Sequence, residues 1–264
     1  MYDGTGIWVA SHGGDTVDKY DPVTGGLLAE HVFPAGSQPA RLAWDGTSVW
    51  VVLDGAAKVV KLNATTGAVL GEYTVGTAPA DVASDGTHVW VADHDTSNIY
   101  RIDQTTGAVS APFPIAAGPR SITFDGSHLW VTADGPTDVF KVDLNGAVIT
   151  SYDVGSSAWD IAFDGTSVWV PQSSSSAVVR INVTTGAVGG PYPTGTSPHG
   201  IAFDGTSIWV ANFGTTAVSQ LDPLTGEVLA TYGGFANPER LVFDGTSIWV
   251  ANAGNATITR LSRT

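Results

Sequence analysis

FDGTSIWVAN, residues 203–212, decides how the rest of the chain is read. The same frame returns as YDGTGIWVAS from Tyr2, WDGTSVWVVL from Trp44, SDGTHVWVAD from Ser84, FDGSHLWVTA from Phe124, FDGTSVWVPQ from Phe163 and FDGTSIWVAN from Phe243. Its central tryptophans, Trp8, Trp50, Trp90, Trp130, Trp169, Trp209 and Trp249, are spaced by 42, 40, 40, 39, 40 and 40 residues. A fixed period of this length with strand-like content points to a propeller built of four-stranded blades.

Copy six shows the four strands most clearly. Gly200–Phe203 reads as the first, and Asp204-Gly205 supplies a hairpin turn that accepts positive φ. The apolar run Ser207–Ala211 is the second, Ala217–Leu221 the third, and Glu227–Tyr232 the fourth after an Asp-Pro-Leu-Thr-Gly turn. Only Met1 and Tyr2 precede the first Asp-Gly turn, and copy seven ends after its third strand. The expected fold is therefore all-β: a seven-bladed propeller of antiparallel four-stranded blades, one domain over 1–264. The copies run 1–37, 38–77, 78–117, 118–156, 157–196, 197–236 and 237–264, with the ring closed between the first and last. Six blades and a leftover half-copy is the alternative, at the cost of orphaning the Trp249 strand.

Composition narrows the partners. With 11 basic and 25 acidic residues the net charge is −14, which repels nucleic acid and anionic lipid. There is no run of about 18 apolar residues, so no transmembrane helix is expected. Cysteine is absent, so disulfide and thiolate chemistry are excluded. MYDGTGIWV enters the repeat at once, so either the chain is not exported by a leader or the leader has been removed. The repeat and the acidic surface fit a secreted, cell-envelope or virion-associated module.

Residues present in every copy serve the blade first. The second-strand tryptophans suit the wedge between neighbouring blades, and the Asp-Gly aspartates read as turn formers. A third-strand ring of Lys19, Lys61, Arg101, Lys141, Arg180, Gln220 and Arg260 is expected to pair with the acidic hairpin turns of its own blades. Asn63 and Asn182, although in Asn-x-Thr triplets, occupy the Asp position of the Asp-Pro-x-Thr-Gly turn and read as turn chemistry.

Function is sought where the copies differ. The two residues after the recurrent proline ring the axis, and they are Ala40-Arg41, Ala80-Asp81, Arg120-Ser121, Trp159-Asp160, His199-Gly200 and Glu239-Arg240. Blade packing does not require this mixture. Candidate ligand-binding residues are Arg41, Asp81, Arg120, Trp159, Asp160, His199, Phe213, Glu239 and Arg240. Trp159 has two readings: an exposed platform for the apolar face of a sugar, or a ring folded over the channel as a plug. Asp93, His94 and Asp95 offer a possible ligand set for a divalent ion such as Mg²⁺ or Ca²⁺, although adjacent residues seldom converge on one ion.

The motifs Pro-x-x-Ile-x-Phe-Asp-Gly, Ile-Trp-Val and Leu-Asp-Pro-x-Thr-Gly, as at 198–226, resemble those of bacterial propellers of the virginiamycin B (streptogramin) lyase type and the related YVTN and NHL repeats. The likeness covers the whole chain. It implies a Mg²⁺-dependent lyase in which His199, in Ser-Pro-His-Gly-Ile, is general base with Glu239 assisting. Two departures weigh against it. Second strands end in Asn212, Asn252, Asp93 or Gln172 where the family often has glutamate, and no second histidine follows Glu239. The reading adopted is a non-catalytic binding propeller without a cofactor, taking a carbohydrate or a partner-protein loop on its variable face. A purely structural or designed scaffold is the third possibility.

Overall fold

The computed structural model describes residues 1–115, 118–134, 138–155 and 158–262. In each Asp-Gly turn the glycine sits at φ between 88° and 96°, a conformation only glycine enters cheaply, so the flanking runs fold back as a hairpin. Seven antiparallel sheets result, one per copy. Blade 6 is typical, with strands Pro198–Phe203, Ile208–Asn212, Ala217–Leu221 and Val228–Gly233 side by side in that order. The strands lie within one or two residues of their expected bounds. Copies two to six have four strands, and the first and last have three. In blade 1, Met1 and Tyr2 add only a fragment of first strand, with the Trp8 amide donating to the Met1 carbonyl at 2.8 Å.

The second strand is the spine of each blade. Ser48–Leu53 and Ser167–Gln172 are buried throughout. Its tryptophan packs against the following blade: Trp50 and Val59 of blade 2 share one core with Val82, Val89 and Val91 of blade 3. Six such cores join blades 1 to 7 in sequence. Trp44, on a first strand, packs partly buried against the core between blades 1 and 2.

The turn aspartates do more than form turns. In every copy one carboxylate oxygen accepts two backbone amides of its own turn, as Asp204 does from Thr206 and Ser207. The other accepts the indole Nε1–H of the tryptophan five residues on, at 2.6–2.8 Å in all seven copies. A buried indole N–H without a partner costs about 1–3 kcal/mol, so this acceptor lets tryptophan fill the wedge. Burial pushes the Asp3 carboxyl upward, but hydrogen bonds from Lys19, Trp8 and Thr5 outweigh it and hold it at about 2.

The third-strand ring corrects the expectation of local pairing. Among the described residues only Lys19 and Lys61 approach their own turn carboxylates, at 2.7 Å to Asp3 and 3.6 Å to Asp45. The shared feature is different. Each Lys or Arg lies over its blade's indole at 5.0–5.9 Å. Five of them reach on to a turn carbonyl of the next blade. Lys19 donates to Ala64, Lys61 to Gln104 and Arg101 to Leu144, each at 2.9 Å, Lys141 to Val183 at 2.7 Å, and Arg180 to Pro223. Gln220 and Arg260 bond instead to serines of their own blades, Ser207 and Ser247. Asn63 and Asn182 cap their turns as expected, each accepting two amides.

Blades 7 and 1 meet differently. Residues of both line a cavity of ≈ 350 Å³ that runs into the central channel. Trp249 is 6% exposed, where its six counterparts are at 1% or less. Replacing Asp204 with alanine removes two caps and the indole acceptor together. It is expected to destabilise by about 2–4 kcal/mol in denaturant unfolding. Asp222, half-buried and capping two turn amides but no indole, should cost less when replaced in the same way, about 1 kcal/mol.

Candidate functional site around the channel mouth

Each pair lies at the entry to its blade, at a register shift of the first strand in blades 2, 3, 4, 6 and 7 and ahead of the strand Ala162–Phe163 in blade 5. The second of each pair enters the channel: Arg41, Asp81, Ser121, Asp160 and Arg240 line the cavity. Asp81 is buried and accepts from the Ser121 hydroxyl at 2.5 Å and from the Ile122 amide at 3.0 Å. Asp160 accepts from the Ile201 amide at 3.2 Å. Arg41 and Arg240 both turn to Asp160, at 3.8 Å and 3.6 Å. Burial, then the neighbouring Arg41 charge, hold the Arg240 guanidinium down at about 10. Gly200 takes this position in blade 6, where a Cβ would collide with the Glu239 carbonyl of the adjoining strand.

In blades 4, 5 and 6 the first residue of the pair joins a stack at the rim. Arg120 of blade 4, Trp159 of blade 5 and His199 of blade 6 meet in one stack. The Arg120 guanidinium lies 4.3 Å from the Trp159 ring centroid, and Trp159 stacks on His199 at 4.9 Å and 13°. His199 stacks in turn on Phe213, from the loop after the second strand of blade 6, at 4.4 Å and 6°. Trp159 is thus neither a bare platform nor a plug in the channel. It is half-buried, in contact with a cation from the blade before and an imidazole from the blade after.

Charge continues the stack into blade 3. Arg120 Nε is paired with Asp134, whose other oxygen lies 3.0 Å from His94 Nε2. His94 Nδ1 is 2.8 Å from Asp95. Hydrogen bonds to Asp95 and Asp134 raise the His94 imidazole above its ordinary value, against burial and the charge of Arg120. Burial and the charge of Arg240 lower His199, outweighing Glu239 and Asp160, and keep it neutral near pH 7.

The nine candidate residues therefore divide into two groups. Arg120, Trp159, His199 and Phe213 form the rim stack, with the Glu239 charge acting on His199. Arg41, Asp81, Asp160 and Arg240 form the channel network. Two members, Ser121 at an axis-ringing position and Asp134 in an exit loop, are not among the nine candidates. Nothing in an ordinary loop acid or a small polar residue sets either apart until the blades close. The triplet 93–95 does not act as one ligand set. Asp93 is fully buried and saturated by the Thr77, Ala78 and Thr96 amides and the Thr96 hydroxyl. Among the described residues no three His, Cys, Asp or Glu side chains are placed to hold a metal ion.

No protein-family model matches the sequence, and no curated protein matches it. Solved structures match its fold closely. Hydrazine synthase of Kuenenia stuttgartiensis superposes with TM-score 0.86 at 19% identity, over 99% of this chain and 93% of that one. A catalytically inactive histidine-to-alanine variant of virginiamycin B lyase from Staphylococcus aureus, with quinupristin, gives 0.83 at 22%, over 98% and 92%. The Cps50 (Swd1) propeller of Myceliophteria thermophila gives 0.83 at 13%, over 99% and 94%. The chain is a seven-bladed propeller whose fold resembles the streptogramin lyases, and the same fold serves proteins of varied function.

Two histidines should therefore titrate apart in NMR spectra. His94, raised when folded, contributes stability below its unfolded pKa that is lost as pH rises through its folded value. His199, lowered when folded, disfavours the folded state as pH falls below its unfolded pKa. In Asp134→Asn the His94 titration should move down, and that of His199 should stay.

Proposed function

We propose that this propeller is a non-catalytic recognition module that holds a partner-protein loop across the rim formed by Arg120, Trp159, His199, Phe213 and Glu239. The observation that carries this reading is the rim stack itself, already assembled across three blades. Aromatic and arginine side chains dominate the energetics of protein interfaces. Groups held in place before binding lose little entropy when a partner arrives. The neighbours of Trp159 favour a loop over a sugar, because a sugar ring stacking on the indole would have to displace Arg120 or His199.

The lyase reading draws on the fold likeness and a neutral His199. Against it, the imidazole is stacked on two rings, and its polar contact among the described residues is the Ser197 hydroxyl at 3.4 Å, not a carboxylate.

Selection of constrained random-loop peptides on the wild-type protein, beside a glycan array, tests the proposal. Enriched loops should bind at least about tenfold more weakly to Trp159→Ala and to Glu239→Ala. Loops indifferent to both substitutions, or glycans whose binding needs Trp159, would overturn it. So would Mg²⁺-dependent streptogramin turnover that His199→Ala abolishes.

A further inference from the structure

The rim stack ends on Arg120, and the hydrogen bonding of that guanidinium indicates what chemistry the rim takes from a partner. Arginine carries five N–H donors in one plane. The Nε–H of Arg120 donates to Asp134. Among the described residues neither Nη1 nor Nη2 donates a hydrogen bond. These two nitrogens form the end-on fork that matches a carboxylate. Arg101 and Arg180 also lie over indoles, but each gives its Nη1 to a turn carbonyl. Arg120 keeps 28% of its side chain exposed while one face rests on Trp159. Stacked on the indole and tethered at Nε, the fork is oriented before a ligand arrives, so little rotamer freedom is lost on binding.

Asp134 does not neutralise this guanidinium by itself. Its other oxygen is 3.0 Å from His94 Nε2, and His94 Nδ1 is 2.8 Å from Asp95. Only an imidazolium donates from both ring nitrogens, so this geometry belongs to protonated His94. The charged groups that face it are Asp95 from its own loop and Asp134 and Arg120 from blade 4. With the proton in place, two cations balance two carboxylates. Without it, two carboxylates surround one guanidinium, and a further carboxylate is repelled.

We infer that the partner's loop presents an Asp or Glu side chain whose carboxylate docks on Nη1 and Nη2 of Arg120, and that protonated His94 strengthens this contact. The inference rests on the rim being the docking surface. Ligand and proton then favour each other's binding through Asp134. A phosphoryl group fits the same fork, but it brings about two negative charges to a corner that already holds two carboxylates.

The probes are constrained loops selected on the wild-type protein that lose binding to Trp159→Ala. Each Asp or Glu in them is changed to Asn or Gln, and the loops are compared by calorimetry on wild type and Arg120→Gln. One acidic position should be shared. Its amide form should bind wild type at least about tenfold more weakly, and on Arg120→Gln the two forms should agree within about twofold. Because Arg120→Gln could disturb the stack, a second measurement leaves Arg120 in place. Affinity of the acidic loop for wild type should fall at least about threefold as pH rises above the ordinary histidine value of about 6.5. Hydrogen bonds to Asp95 and Asp134 put the His94 titration above that value, and burial puts that of His199 below it. The amide form, and the acidic loop on His94→Gln, should show no such fall. Four results would overturn the inference and leave the rim reading standing: no shared acid among the loops, an amide cost that persists in Arg120→Gln, tighter binding of a phosphoserine loop, or affinity indifferent to pH in this window. If no selected loop depends on Trp159, both fall.

Discussion

One carboxylate in each copy does two things that a propeller needs done at the same place. It closes the Asp-Gly turn by accepting backbone amides, and it accepts the indole proton of the tryptophan on the strand that follows. The turn therefore fixes the orientation of the side chain that fills the wedge, and the wedge fixes the turn. Because the bond lies within one hairpin, each blade carries its own means of presenting a flat apolar face to the next. The third-strand cations extend this outward. All six cover the indole and five reach the neighbour's turn carbonyl, so there the apolar contact between blades is locked by a charge-assisted hydrogen bond.

Six interfaces have the apolar core and five of them this bond as well; between blades 6 and 7 Gln220 bonds to Ser207 of its own blade. Between blades 7 and 1 there is no shared core cluster among the described residues, and Arg260 bonds to Ser247 of its own blade. A solenoid-like array depends on nearest-neighbour contacts, so an interface lacking them is where the ring is weakest and most open. Residues of both blades line the ≈ 350 Å³ cavity there.

Around the axis, two chemistries lie one residue apart where each chain segment enters its blade. The rim residues form a stacked ladder in which cation and aromatic faces satisfy each other. The channel residues form a compact network in which Asp81 is met by a hydroxyl and amides, and two arginines turn to Asp160. The Pro-His-Gly-Ile segment acquires a packing explanation here. Gly200 permits the close approach of the blade 7 strand, and His199 is a rung between two rings.

The sequence by itself determined the number of blades, the strand order and the turn chemistry, because these depend on short-range spacing repeated seven times. It also located the variable positions, since departures from a repeat are visible without coordinates. What it left undecided was every contact spanning copies. Lys141 is as close in sequence to its own acidic turn as any model of local pairing needs, yet it bonds to Val183 in the next blade. Trp159 could be platform or plug until Arg120 and His199, 39 and 40 residues away, closed on it. Such partners are set by the angle between blades and the depth of their packing. Those quantities arise only when the ring assembles, and tertiary structure alone decides them.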